Sequence, residues 1–148
     1  MMDARPILYY LDYSPDGTKS CIGAFVNPLL CWGGLGAMLI MAYLAIAERD
    51  RKARFIVLGY LAQMLPWVFV QRITFAYHYF PATVFLLLAL GHVFDRMCRR
   101  SENGKWLLGS FVGVSVVLFA AFYPVISGAD VSVEFADKFL GWFESWPF

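Results

Sequence analysis

Four stretches of the chain contain no Asp, Glu, Lys or Arg: Pro28–Ala47, Phe55–Val70, Ile73–Phe94 and Trp106–Ile126. A helix rises about 1.5 Å per residue, so about 20 residues cross a hydrocarbon core roughly 30 Å thick. Three of the stretches reach that length, and the second, at 16 residues, falls just short of it. Phe55 to Phe94 cannot form one straight helix, because it would be roughly 60 Å long, about twice the core. A tight reversal at Gln71 and Arg72 is therefore predicted. The pattern reads as an all-α membrane protein with four transmembrane helices, about 28–47, 55–70, 73–94 and 106–126, forming a domain over 28–126.

The flanks read differently. Residues 1–27 form a polar lead in which Ser14-Pro15-Asp16-Gly17 has the chemistry of a β-turn, Pro fixing φ and Gly tolerating the last position. Tyr9, Tyr10, Tyr13 and Phe25 around it suit an extended or hairpin segment lying against a membrane surface. The tail, 127–148, is too charged to cross. Its Val131, Phe135, Phe139, Trp142, Phe143 and Trp146 recur every three or four residues, opposite Asp130, Glu134, Asp137, Lys138 and Glu144, which predicts an external, interfacial amphipathic helix.

Composition agrees with lipid as the solvent: 60% of the 148 residues are hydrophobic and 16% charged, more apolar than a water-soluble domain requires. Charge sets the orientation. Arg49, Arg51, Lys52 and Arg54 in one link, and Arg96, Arg99, Arg100 and Lys105 in another, hold eight of the twelve basic residues. These links fall on one face, which the positive-inside rule makes cytoplasmic, and both termini then lie on the non-cytoplasmic side. A net charge of +1 excludes a nucleic-acid partner. Cys21, Cys31 and Cys98 show neither a disulfide framework nor metal-ligand spacing. Met1-Met2-Asp3 lacks the basic start of a signal peptide, so an outward N-terminus reads as the later part of a longer protein or a separately encoded piece.

Small residues Gly33, Gly34 and Gly36 in the first span allow a neighbouring helix to approach closely, behind a helix start at Pro28. Pro66 and Pro81 each remove one backbone hydrogen bond and free the carbonyls of Ala62 and Tyr77, so kinks are expected at both.

The chemistry concentrates at the reversal, "QRITFAYHYFPATVF". On a helix Phe75, Ala76 and Tyr79 share the face of Arg72, and Gln71, Thr74 and His78 form the adjoining stripe, with His78 roughly 9 Å deeper. A permanently charged guanidinium at the outer boundary matches a lipid phosphate, and His78 could donate to the same group or to a sugar hydroxyl. The competing readings are an arginine snorkelling to bulk headgroups and a histidine hydrogen-bonded locally. His92, beside Asp95 and Arg96, reads as a structural group at the cytoplasmic edge.

"RITFAYHYFPA" resembles the arginine, aromatic, Tyr-His-Tyr and Pro signature in the C-terminal four-helix region of protein O-mannosyltransferases and their bacterial relatives. "RPILYY", "VNPLLCWGG", "FYPVISG" and the Trp-rich ending fall in the same order, so the likeness covers essentially the whole chain. Cys31-Trp32 in place of paired tryptophans, and Val26 before Asn27-Pro28, depart from the pattern and leave the sugar and acceptor open.

The resemblance implies transfer of mannose, with inversion, from a polyprenyl-phosphate donor to Ser or Thr hydroxyls at the outer face, without a cofactor or metal. It places the essential acidic pair in an N-terminal half with no counterpart here, so no catalytic residue is assigned. Arg72, His78 and Tyr79 become candidate contacts to the donor's lipid phosphate, and Arg5 and Asn27 structural joints. The expected partners are the bilayer, the lipid-linked sugar and a catalytic half or partner subunit, in the plasma membrane if the source is bacterial. A non-enzymatic membrane accessory subunit that packs on a partner or binds polyprenyl phosphate is the alternative. A proton- or cation-coupled transporter is disfavoured because none of the four spans holds a carboxylate.

Overall fold

The computed structural model describes residues 7–24, 26–70 and 78–142. Arg5, Phe25, Gln71, Arg72, Thr74, Phe75, Ala76, Tyr77, Phe143 and Trp146, all used in the sequence reading, lie outside the described residues. The chain runs through β1 (Ile7–Tyr13), β2 (Thr18–Ala24), α1 (Pro28–Ala47), α2 (Arg51–Val68), α3 (Phe80–Arg100), α4 (Glu102–Ser127), β3 (Asp130–Ser132) and a short α5 (Val133–Phe135), which passes into a π-helical turn, Ala136–Leu140.

The four long helices alternate in direction. Gly34 in α1 lies against Leu86 in α3, each near the start of its helix, so these two run parallel. Gly104 at the start of α4 meets the backbone of Met97 near the end of α3, so that pair is antiparallel. The starts of α1 and α3 and the ends of α2 and α4 therefore share one end of the bundle. A Cβ built on Gly34 would stand 2.7 Å from the Leu86 Cβ, so the missing side chain is what allows this helix contact. The main core, including Met41, Leu44, Tyr79, Ala82, Leu86 and Ala89, lies around α1 and α3.

Three of the long helices, α1, α3 and α4, are long and apolar enough to cross a membrane. In α2 the first four residues include Arg51, Lys52 and Arg54. Only 11% of the most apolar stretch of α4 is buried, and it exposes Val112, Val116, Val117 and Phe119, an outer surface suited to lipid or to another apolar helix.

Two elements correct the expectation of an all-α fold. The lead is an antiparallel hairpin: Ser14 N donates to the Thr18 carbonyl at 2.9 Å, and Gly17 takes φ +77°, which only glycine accepts without strain. The tail then adds β3 to β2, giving a three-stranded sheet in the order β1-β2-β3. The tail is thus a strand followed by a short helical segment. Ser132 ends the strand by accepting a hydrogen bond from Phe135 N at 3.3 Å.

The stripe expected on the tail divides accordingly. Val131 is buried by strand pairing, Ala136 and Leu140 fill the inner side, and Phe135, Phe139 and Trp142 remain exposed. Pro81 also differs from expectation. It sits in the first turn of α3, where a missing N–H leaves no bond broken, so no kink arises there. Pro66 does lie inside α2.

The sheet seals the bundle end at which α1 begins and α4 ends. Cys21, Phe122, Val125, Val131, Ala136 and Leu140 form a second core there. Cys21 Sγ donates to the Val125 carbonyl at 3.6 Å, one of the last four carbonyls of α4 that the helix itself cannot satisfy. Gly128, at φ +77°, closes α4 with a left-handed cap.

Candidate functional site

Of the three sequence candidates, the structure describes His78 and Tyr79, immediately before α3 at the sheet-bearing end. Arg72 lies outside the described residues. His78 is half-buried and meets Trp67, from the last turn of α2, edge to face with ring centroids 4.3 Å apart. The pair joins the end of α2 to the start of α3 and restrains the imidazole plane. Tyr79 is buried in the main core, and its carbonyl accepts from Thr83 N at 3.2 Å. Tyr79 therefore anchors the chain while His78 stands beside it nearer the surface. Trp67 did not figure in the sequence reading, where its position at the end of an apolar stretch was the one available sign.

Asn27 shows why an Asn-Pro step opens α1. Its Oδ1 caps the helix by accepting from Leu29 N at 3.1 Å, while its Nδ2 donates to the Ser115 carbonyl of α4 at 3.0 Å. One side chain thus starts the first helix and ties it to the last.

Three carboxylates at this end have partners. Asp137 receives a 2.6 Å hydrogen bond from Lys19 Nζ, Asp130 receives the Ser20 hydroxyl, and Asp12 receives Tyr10 Oη at 3.3 Å. The Lys19 side chain is 3% exposed, an unusual burial for an ammonium. The Asp12 charge raises the Tyr10 phenol above its usual value, and burial pushes the Cys21 thiol up against the opposing pull of Lys19.

A second polar cluster occupies the other end. His92 Nε2 lies 3.1 Å from Asp50 Oδ2, Arg96 reaches Glu48 at 2.6 Å, and Asp50 Oδ1 caps α2 by accepting from Lys52 N and Ala53 N. Among the described residues no three His, Cys, Asp or Glu side chains group as metal ligands.

Residues 4–146 match the family described as the C-terminal four TMM region of protein-O-mannosyltransferase. The chain belongs to that family. Polyprenol-phosphate-mannose--protein mannosyltransferase from Mycobacterium tuberculosis is 28% identical over 160 aligned positions, covering 98% of this chain and 30% of that protein. Dolichyl-phosphate-mannose--protein mannosyltransferase 1 of Saccharomyces cerevisiae is 32% identical over 96 positions, covering 62% of this chain and 12% of that one. The solved S. cerevisiae protein O-mannosyltransferase Pmt1-Pmt2 complex bound to the sugar donor superposes with a TM-score of 0.68 at 26% identity, over 87% of this chain and 21% of that chain.

This protein O-mannosyltransferase region therefore spans 12% to 30% of the length of these relatives. The match takes in the β1–β2 hairpin, all four long helices and the tail strand, so the sheet lies within the family region.

Proposed function

We propose that the chain is the donor-side membrane region of a protein mannosyltransferase that uses a polyprenyl- or dolichyl-phosphate-linked mannose. What carries the reading is the family match across residues 4–146, with relatives whose names specify such donors. In this reading α2 is the fourth crossing: its 18 residues would reach about 27 Å, with Arg51, Lys52 and Arg54 extended into the headgroups. The basic links face the cytoplasm and the sheet faces the opposite side, where both chain ends lie.

The reaction joins an acceptor Ser or Thr oxygen to the anomeric carbon of mannose as the bond from that carbon to the carrier phosphate breaks. A carboxylate takes the hydroxyl proton, and negative charge grows on the departing lipid phosphate. The Arg72 guanidinium and the His78 imidazole serve the phosphate side, the second held in orientation by Trp67 and by the buried anchor Tyr79. Of the described carboxylates at this end, Asp12, Asp130 and Asp137 are engaged by Tyr10, Ser20 and Lys19, and Asp16 and Glu134 are exposed on the turn and the tail. The family match to a C-terminal region is what assigns the base to the part of the enzyme that the relatives possess beyond it.

The test is polyprenyl-phosphate affinity of the chain in nanodiscs, wild type against Arg72→Ala and His78→Ala. Loss of a charge-assisted hydrogen bond should weaken binding about tenfold. Unchanged affinity in both variants would remove the donor site from this end. Mannose transfer by the 148-residue chain alone would overturn the assignment of the base elsewhere.

A further inference from the structure

At the bundle end opposite the sheet, a groove of about 560 Å³ lies between α2 and α3. Phe55, Leu87 and Leu88 form apolar walls and are themselves 68%, 50% and 47% exposed, so the groove opens outward over carbon. Gly91 borders it, and a Cβ there would meet nothing within 4 Å, so the space continues to the helix backbone. Arg51, Lys52 and His92 stand at one limit of this apolar surface.

The charges around the groove are unevenly satisfied. Arg96 is paired with Glu48 and lies near Asp50, Arg99 is paired with Asp95, and Lys105 with Glu102. The Arg54 guanidinium donates to the Arg49 carbonyl. Asp50, the acid adjacent to the groove, has one oxygen on the Lys52 and Ala53 N–H groups and the other on His92 and Arg96. Arg51 and Lys52 form no ion pair among the described residues. Two unbalanced cations thus sit at the end of an apolar channel, which complements an amphiphile with an anionic head and a hydrocarbon chain.

We propose that the α2–α3 groove is a specific site for an anionic glycerophospholipid. One acyl chain lies along Phe55, Leu87 and Leu88, and Arg51 and Lys52 meet the headgroup phosphate. A phosphate bound here occupies the leaflet at the far end of α2 from His78, about 27 Å away by helix rise, so the carrier of the proposed donor site is not the occupant. The proposal does not depend on the donor reading, because it uses residues from the other end of the bundle.

The experiment measures retention of phosphatidylglycerol against phosphatidylcholine by the detergent-solubilised full chain, using quantitative native mass spectrometry. Wild type should retain phosphatidylglycerol preferentially, and the double variant Arg51→Ala/Lys52→Ala should lose that preference by about tenfold or more. Arg99→Ala/Lys105→Ala removes an equal number of positive charges, both ion-paired, from the same end and should leave it unchanged.

Gly91→Leu fills the groove without touching a charge and should also abolish retention, which keeps the proposal testable if the double variant folds poorly. Equal loss in the Arg99→Ala/Lys105→Ala control would make the effect one of general surface charge and overturn the site. Retention that survives Gly91→Leu would remove the acyl-chain groove. Stronger retention of undecaprenyl phosphate than of phosphatidylglycerol would show that the occupant is a carrier lipid and overturn the proposal.

Discussion

His92 Nε2 lies 3.1 Å from Asp50 Oδ2, joining the second half of α3 to the residue that caps α2. The Ala53 N–H does most to hold the Asp50 carboxyl below its ordinary value of 3.8; desolvation opposes it, and the Lys52 N–H and then His92 lower it further. A carboxyl depressed in the folded state stabilises fully above its unfolded pKa, and that contribution disappears as pH falls through the folded value. Thermal unfolding in detergent should therefore show a loss of stability below pH 3.8 that Asp50→Asn lacks. Asparagine keeps an oxygen for the two N–H groups but replaces the oxygen that meets His92 and Arg96 with an amide NH2. Asp50→Ala removes both and should destabilise by about 1 kcal/mol at neutral pH.

Asn27 has separable duties. Asn27→Asp keeps the oxygen that caps α1 but loses the donor to the Ser115 carbonyl, whereas Asn27→Ala loses both. The alanine variant should cost about 2 kcal/mol, roughly one for the cap and one for the hydrogen bond to α4. Denaturant titration would check a further point: unfolding of Asn27→Asp should be intermediate only if the carboxylate tolerates the nearby carbonyl, and a stability below that of Asn27→Ala would reveal their repulsion.

Two glycines of α4 should respond in opposite directions to the same substitution. A Cβ at Gly104 would stand 2.5 Å from the Met97 carbonyl carbon and oxygen and 2.7 Å from Cys98 N, all backbone atoms that cannot rotate away. Gly104→Ala is expected to destabilise the α3–α4 hairpin by about 3 kcal/mol. At Gly109 nothing lies within 4 Å, so alanine there should stabilise by about 0.5–1 kcal/mol through helix propensity. Equilibrium unfolding of the two variants side by side measures the contrast.

Lys19 and Asp137 are an unequal pair, with side chains 3% and 63% exposed. Asp137→Ala leaves a buried cation without its counter-ion and should destabilise the sheet–tail unit by about 1–2 kcal/mol, less than a fully buried pair because solvent reaches the acid. Lys19→Met removes the charge while keeping most of the buried stem, so it should be milder. Hydrogen exchange of residues 130–140 in both variants would establish the order.

Helices and their fitness for a membrane were legible because they are local: long charge-free runs and an Asn-Pro start are written within a few residues of where they act. The sheet was not. Its third strand has three residues and pairs with a segment more than a hundred positions away, while the phenylalanine spacing after it imitates one face of a helix. Pairing geometry decided between the two. Phe135 and Phe139 stayed outward because Ala136 and Leu140 fill the side facing α4.

At the candidate site the sequence singled out His78 and Tyr79 by residue type, but the division between them required burial, and Trp67 required the fold of the α2–α3 reversal. The polarity of His92 was visible, yet Asp50, 42 residues earlier, could not be named as its partner from spacing.

The ammonium of Lys19 meets a carboxylate 118 positions further along the chain. The hairpin is therefore made before the four long helices and completed only by the strand that follows them. Until then a lysine destined for the interior must stay hydrated, which makes a prematurely sealed sheet unfavourable. Docking of the final strand is thus a natural checkpoint in biogenesis: a truncated or stalled product would display an open β-edge and an unneutralised cation, marks by which quality control could tell it from the finished protein.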